Sequence, residues 1–301
     1  MRKIIFEPKK HTYTDTETKL ELMSVSHFRK IFDKTDWVHN VRKSAAQEYL
    51  KATTYKKHKD AWEKRGGNIL DPAFIEFLLP FMDKKTFQRL CKEVRAEWDA
   101  TGMEAAGAGT LEHELREQEA IEAGFSLNPF NGLEYPTQPH GKKPDGSNES
   151  LVECLGDLEP GFYPELILWH FFPEPIHSES LGKDICGIAG TADRPYIEPD
   201  KSYVRDWKFT TKPLADFSTN YNNFGKQFHV EPWEDWPISK ISGYRIQLNT
   251  YGWMLEQHNL PPAGLAIDNK VIKTGQEQEF IIPYEGWRVS EAFDRVFMES
   301  L

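Results

Sequence analysis

Two β-strand patterns joined by a short turn constrain the fold of this chain more than any other feature. Residues 186–197 and 202–209 are rich in Ile, Val, Tyr and Phe, and Glu198-Pro199-Asp200-Lys201 between them is typical of a hairpin turn. A turn centred between Pro199 and Asp200 pairs residues whose numbers add up to about 399. Asp193 and Asp206 are therefore predicted to lie opposite each other across the hairpin.

This pairing of two carboxylates requires a compensating positive charge. Like charges that face each other across a β-ladder are destabilising, and burial raises that cost unless a cation lies between them. Because strand side chains alternate, Asp206 and Lys208 share one face while Trp207 points to the other. The sequence therefore predicts two acids and a lysine with room for a divalent metal ion. The alternative is a solvated Asp-x-Lys pair on an exposed strand; the flanking Trp207 and Phe209 and the small, apolar preceding strand argue against it.

The rest of the chain changes from a helical to a strand-rich pattern near residue 150. Helical patterns cover residues 36–52, 72–80, 83–101, 105–123, 241–255 and 284–299, and strand patterns cover 4–6, 12–14, 19–22, 163–172, 176–180, 264–271 and 277–283. Ser24 or Ser26 is predicted to begin a helix and Gly124 to end one. Residues 137–150, a predicted mobile loop, and about 213–237 are irregular. We predict one α/β domain over residues 1–301, with a hairpin and helical N-terminal region up to residue 104 and a central mixed β-sheet flanked by helices.

Composition excludes several classes of protein. Hydrophobic residues make up 39% of the chain and aromatic residues 13%, which excludes a disordered protein. The apolar runs are far shorter than the roughly 20 residues of a membrane span, and no signal-peptide pattern is present at the start, so we expect a cytoplasmic protein without a membrane partner. The three cysteines are too far apart to predict an iron–sulfur cluster. A Gly-x-x-x-x-Gly-Lys-Ser/Thr motif is absent, so no bound nucleotide is expected.

Positive charge is concentrated in residues 29–66, although the whole chain has a formal net charge of -10. This net charge repels a polyanion, so any contact with nucleic acid must be local. The segment is rich in Lys and Arg, and Trp37, Tyr49, Tyr55 and Trp62 lie between these charges, where they could stack on nucleobases. A solvated helix face is the alternative interpretation.

The order of the motifs resembles that of a known superfamily. Asp193 followed by Asp206-Trp207-Lys208 resembles the split Asp and (Asp/Glu)-x-Lys motif of the PD-(D/E)XK nucleases, and the wider context is similar to their RecB-like exonuclease branch, particularly its bacteriophage members. Four further segments are similar to that branch: His11-x-Tyr13 with Ser24-Val25-Ser26, Gly109-Thr110-Leu111-Glu112-His113, Ser178-Glu179, and Gln247-Leu248-Asn249-Thr250-Tyr251. The resemblance implies a restriction-endonuclease-like core over residues 105–301.

The candidate metal and catalytic residues follow from these motifs. Carboxylates suit a hard cation, so Asp193 and Asp206 are predicted to bind Mg²⁺ or Mn²⁺. The resemblance implies that the main-chain carbonyl of Trp207 and the imidazole of His113 are further ligands, and an imidazole makes Mn²⁺ more plausible. Lys208 would orient the attacking water or stabilise negative charge in the transition state. Its alternative role is only to neutralise Asp206.

The resemblance also implies roles for four residues outside this centre. Glu179 would orient a water molecule or hold a second ion, unless it is an ordinary exposed acid on a strand. Thr110, Gln247 and Tyr251 would contact the substrate. Gln247 and Tyr251 are one helical turn apart and share a face, although packing alone also explains Tyr251.

Taken together, the resemblance implies a metal-dependent DNA exonuclease that acts in phage recombination, replication or repair. Its partner would be DNA, in particular linear ends, together with further copies of the chain or a single-strand annealing or recombination protein, in the host cytoplasm if the chain is phage-encoded. Three alternatives are open: an endonuclease on the same fold, a non-catalytic DNA-binding recombination-accessory protein, and a structural protein in which the motif occurs by chance.

Overall fold

The computed structural model describes residues 2–33, 36–143, 145–214, 229–237 and 239–298. It confirms the prediction of a mixed α/β fold, and part of the predicted irregular stretch 213–237 lies outside the described residues. In chain order the helices and strands are β1 (Ile4–Glu7), β2 (Thr12–Asp15), β3 (Glu21–Ser24), α1 (Val25–Ile31), α2 (Trp37–Glu63), α3 (Pro72–Leu78), α4 (Lys84–Ala123), β4 (Phe125–Asn128), β5 (Leu133–Pro136), β6 (Asn148–Glu149), β7 (Gly161–Phe162), β8 (Leu166–Ser178), β9 (Lys183–Ala192), β10 (Arg194–Ile197), β11 (Ser202–Thr210), α5 (Lys240–Glu256), β12 (Pro262–Val271), β13 (Glu277–Ile282) and α6 (Gly286–Phe293).

The strands of the described residues form three sheets. The first has the order β6-β1-β2-β3-β9-β8 and the second β13-β12-β11-β10-β7. The third is a hairpin of β4 and β5, which the sequence analysis did not predict. Parallel pairs join β3 to β9 and β11 to β12. A strand in a parallel pair is usually covered on both faces, which explains why Ser202–Trp207 of β11 are buried without alternation.

Helices cover the second sheet. α5 packs against β11 and β12, and the second half of α4 also contacts β11. α5 begins at Ser239, whose hydroxyl accepts a hydrogen bond from the Ser242 N–H at 3.1 Å. A main apolar core joins both large sheets to α1, α5 and α6; it includes Phe28, Trp169 and Leu248. This core holds the strands that carry the candidate site in fixed positions.

A second apolar core lies among α2, α3 and the first half of α4, and includes Leu50, Phe74 and Leu90. α4 is a single helix of 40 residues where the sequence predicted two, so the predicted boundary at residue 104 lies inside a continuous helix. It ends at Gly124, whose φ of 73° is the left-handed conformation expected at a helix C-terminus. Among the described residues, none of the helices combines the length and the apolar character needed to span a membrane.

Two local predictions in the N-terminal region have clear outcomes. α1 begins at Ser24, one of the two predicted caps, and its hydroxyl accepts a hydrogen bond from the His27 N–H at 3.1 Å. α2 extends eleven residues beyond the predicted end at residue 52. Lys51 interrupts its helical geometry with a φ of 56°. Residues 53–63 continue as helix because Tyr55 and Trp62 pack into the second apolar core.

Candidate metal centre

The chain bends at Asp193, where it passes from the first sheet to the second. β9 ends just before this residue and β10 begins just after it. The register predicted for the β10–β11 hairpin is confirmed, because Arg194 pairs with Arg205. Asp193 and Asp206 are the next residues beyond this pair on the two sides of the hairpin. Beyond Arg205, β11 no longer pairs with β10. The Trp207 N–H instead donates a hydrogen bond to Asp193 Oδ2 at 2.7 Å. Asp193 therefore occupies the fork between β9 and β11.

Glu165 lies beside Asp193 because β8 pairs antiparallel with β9. Leu166 pairs with Ala192, and the Glu165 N–H donates to the Asp193 carbonyl at 3.2 Å. Glu165 has a φ of 54°, an uncommon conformation for a residue with a side chain. Asn148 holds the residue from the other side, since its Nδ2 donates to the Glu165 carbonyl at 2.8 Å. Several contacts thus fix this acid next to the fork.

His113 approaches the two acids from α4. Its Nδ1 lies 3.7 Å from Asp193 Oδ2 and 3.8 Å from Glu165 Oε1. One ligand atom from each of the three residues lies within 4.8 Å of the other two. The imidazole packs edge-on against Phe209, with ring centroids 5.1 Å apart, which restricts its orientation. The predicted ligands His113 and Asp193 are therefore close together, and Glu165 is a third acid that the sequence analysis did not identify.

The protonation of these residues reflects burial and crowded negative charge. Burial and the charge of Glu117 raise the pKa of Glu165 to about 7. Burial and the charge of Asp206 raise the pKa of Asp193 well above its ordinary value. Burial, followed by the charge of Lys208, lowers the pKa of His113 to about 4, so its ring is neutral and able to act as a ligand at neutral pH.

Asp206 and Lys208 lie next to this group. The Lys208 ammonium forms an ion pair with Oδ2 of Asp206, whose side chain is 1% exposed, while the buried Asp206 Oδ1 lacks a hydrogen-bond partner. Burial lowers the pKa of Lys208, but the charges of Asp206 and Asp193 outweigh it and the pKa is raised. Lys208 is therefore an ammonium at neutral pH. Its Nζ lies 5.1 Å from the ring centroid of Tyr244 on α5.

These observations fit a divalent cation. Three converging ligands, one of them a neutral imidazole, and the neighbouring Asp206 carboxylate with one unsatisfied buried oxygen form the donor set expected of a Mg²⁺ or Mn²⁺ site. Trp207 borders the same group, because its N–H donates to Asp193 Oδ2 and its ring centroid lies 6.0 Å from that of His113. A cation here would relieve the repulsion that raises the pKa values of Asp193 and Glu165.

An open cleft of about 820 Å³ gives access to this group, and the three predicted substrate residues line it. Thr110 is exposed, and its hydroxyl donates to the Ala106 carbonyl one turn earlier at 3.0 Å. Gln247 Nε2 donates to the Tyr251 hydroxyl at 2.9 Å, which in turn donates to the Thr191 carbonyl at 2.8 Å. Burial raises the pKa of Tyr251, so the phenol stays neutral and remains a donor. This chain of hydrogen bonds joins α5 to β9 beside the fork.

Glu179 is not part of the group. It lies exposed in the turn between β8 and β9, at the end of β9 opposite to Asp193. The ten residues of β9, at about 3.3 Å each, separate the two acids by about 30 Å. The acid that lies beside Asp193 is Glu165, directly before β8. The position of the β8–β9 turn alone does not predict which residue lies opposite Asp193. The β8–β9 register shifts between Phe171 and Ile176, where two prolines that cannot donate to the ladder interrupt β8.

Two further charged residues at the cleft were missed by the sequence analysis. Glu117 is one helical turn after His113 and therefore faces the same side of α4, a spacing that could have identified it. Lys142 reaches the cleft from the loop before β6, and its ammonium pairs with Glu117 at 2.5 Å. Nothing in the local sequence of this predicted loop indicates that contact.

The structure corrects the prediction for the aromatic residues of segment 29–66. Tyr55 is buried, and Tyr49 and Trp62 pack against the second apolar core, so these rings are not free to stack on bases. Trp37 is 52% exposed. Lys34 lies outside the described residues. Part of the positive charge is already paired within α2, as in the Lys56–Asp60 ion pair.

Comparisons with known proteins add no identification. A scan against protein-family models finds no match to the chain, and a search of the curated proteins also finds no match.

Proposed function

We propose that this protein is a divalent-metal-dependent deoxyribonuclease with a restriction-endonuclease-like core, and that it acts as an exonuclease in phage recombination, replication or repair. The observation that carries the proposal is the convergence of His113, Glu165 and Asp193 beside the Asp206–Lys208 pair in an open cleft. Of these residues, His113, Asp193, Asp206 and Lys208 belong to the motifs that resemble the PD-(D/E)XK nucleases in the sequence.

The residues of the fork have distinct roles in this proposal. The imidazole of His113, the carboxylates of Glu165, Asp193 and Asp206, and the Trp207 carbonyl would hold the cation. When bound, the cation would acidify a water molecule and offset negative charge on the scissile phosphate. Asp193 Oδ2 also accepts a hydrogen bond from the Trp207 N–H, which fixes this carboxylate in the fork.

Lys208 would stabilise charge rather than accept a proton. Its pKa is raised, so its ammonium has no free electron pair at neutral pH. A fixed ammonium beside the scissile phosphate favours the transition state, in which negative charge on the phosphate oxygens increases. Gln247 and Tyr251 would maintain the position of α5 and so of Tyr244, against which Lys208 packs.

The test is degradation of end-labelled linear DNA with Mg²⁺ or Mn²⁺. We expect metal-dependent release of nucleotides by the wild-type protein and loss of at least a hundredfold in rate in Asp206→Asn and Lys208→Met, consistent with the loss of transition-state stabilisation. Asp184→Asn is the matched control, because Asp184 is an exposed acid near the other end of β9; it should retain full activity. Equal product with and without a chelator, or in all variants, would refute the proposal.

The same preparations separate the alternatives. Cleavage of closed circular DNA indicates an endonuclease, since an exonuclease of this proposal requires an end. DNA binding that survives Asp206→Asn without any metal-dependent product supports a non-catalytic recombination-accessory protein. All the acids and the lysine of the proposed centre are present in this chain, which favours the enzyme.

A further inference from the structure

A further acid, Glu117, lies at the cleft one helical turn along α4 from His113. Glu117 is 5% exposed, and its Oε1 is buried without a hydrogen-bond partner. Its other oxygen, Oε2, pairs with Lys142 Nζ. Glu117, Lys142 and Glu165 all line the same cleft as the proposed metal ligands. A buried carboxylate with an unsatisfied oxygen is costly unless a cation is nearby.

The two acids and the lysine act on one another. The negative charge of Glu117 raises the pKa of Glu165, while the positive charge of Lys142 lowers it. Burial lowers the pKa of Lys142, but the hydrogen bond to Glu117 and the charges of Glu117 and Glu165 outweigh it, so the pKa is raised. The ammonium of Lys142 therefore remains charged within the field of both carboxylates.

We propose that Lys142 supplies a built-in positive charge at the place beside Glu117 and Glu165 that a second divalent cation would otherwise take. This inference rests on the proposed function, because it assumes that His113, Glu165 and Asp193 hold a first ion. The wild-type protein then binds one divalent ion, and the loop that carries Lys142 provides the second charge without a metal. Glu117, with its free buried oxygen, and Glu165 would form a cation site when the ammonium is removed.

The loop is suited to hold a charge in one place. The Gly141 carbonyl accepts a hydrogen bond from the Glu149 N–H at 3.1 Å, and a side chain at Gly141 would collide with the Glu149 carbonyl. Asn148, at the end of the same loop, also holds the Glu165 carbonyl. The lysine and one of its acidic partners are thus fixed by adjoining residues.

The experiment counts bound Mn²⁺ by isothermal titration calorimetry and by the electron paramagnetic resonance of free Mn²⁺, without any substrate. We expect one ion per chain for the wild-type protein and two for Lys142→Met. The double variant Lys142→Met/Glu117→Gln should return to one. Lys143→Met is the matched control, because the neighbouring Lys143 ammonium pairs with Glu149 instead of Glu117; it should keep one ion.

Each outcome decides a different point. One ion in both the wild-type protein and Lys142→Met overturns the inference and leaves the proposed function intact. Two ions in the wild-type protein also overturn it, because the ammonium does not then replace a metal. No Mn²⁺ bound by the wild-type protein removes the proposed metal centre and this inference together. Circular dichroism of each variant shows whether a changed count reflects unfolding.

Discussion

Neutralising Glu165 should stabilise the metal-free protein at high pH but not at low pH. The pKa of Glu165 is raised from 4.5 to about 7 in the folded protein, chiefly by burial and then by Glu117. The folded state therefore binds this proton more tightly than the unfolded state does, and stability is lost as the pH rises from about 4.5 through about 7. Each pH unit in that window is worth about 1.4 kcal/mol, so ionising Glu165 costs the folded state about 3 kcal/mol.

The perturbation is Glu165→Gln, which keeps the size of the side chain and removes its charge. We expect the difference in free energy of unfolding between this variant and the wild-type protein to grow by about 3 kcal/mol in favour of the variant between pH 4.5 and pH 8. His113 is present in both proteins, so the difference reports on Glu165 together with the repulsion by which its charge raises the pKa of Asp193. His113 has the opposite effect on stability: its lowered pKa means that stability is lost as the pH falls from 6.5 to about 4.

The assay is urea unfolding in the presence of a chelator, followed by the fluorescence of the nine tryptophans. When the assay is repeated with Mn²⁺ at pH 8, the wild-type protein should become the more stable of the two. The bound cation stabilises the wild-type protein, whereas the variant lacks one of the ligands for the cation. A difference between the two proteins that is constant from pH 4.5 to pH 8 would show that Glu165 is not held in a buried, negatively charged environment.

Three further substitutions test the geometry of the site and its support. Asp193→Asn should abolish Mn²⁺ binding measured by calorimetry while the fold persists in circular dichroism, because an amide oxygen still accepts the Trp207 N–H. Gly190→Ala should destabilise the protein by about 1–3 kcal/mol in urea unfolding, since the added Cβ would lie 2.6 Å from the ring of Tyr251; an unchanged midpoint contradicts that contact. Gly124→Ala should lower the free energy of unfolding by about 1 kcal/mol, because the residue has a φ of 73° and an added Cβ would meet no other atom. An unchanged midpoint of thermal unfolding would contradict a left-handed helix end at this residue.

The sequence by itself determined the features that depend on neighbouring residues. A short turn fixes the register of the β10–β11 hairpin, so the positions of Asp193 and Asp206 follow from counting residues. Strand alternation and helical spacing likewise place Lys208 beside Asp206 and Gln247 beside Tyr251. Gly124 ends α4 because few other residues adopt its conformation readily.

Only the tertiary structure decided which further residues join the fork. Glu165, and not the predicted Glu179, lies beside Asp193, because Glu179 is in the β8–β9 turn whereas the antiparallel pairing of the two strands brings Glu165 to the other end of the hairpin. Lys142, in the loop before β6, meets Glu117 across 25 positions that include the end of α4 and the β4–β5 hairpin. Tyr55 and Trp62, which by sequence could either stack on nucleobases or belong to a solvated helix face, pack instead in a second apolar core. Contacts of this kind depend on how whole elements pack, which the spacing of residues within one element does not specify.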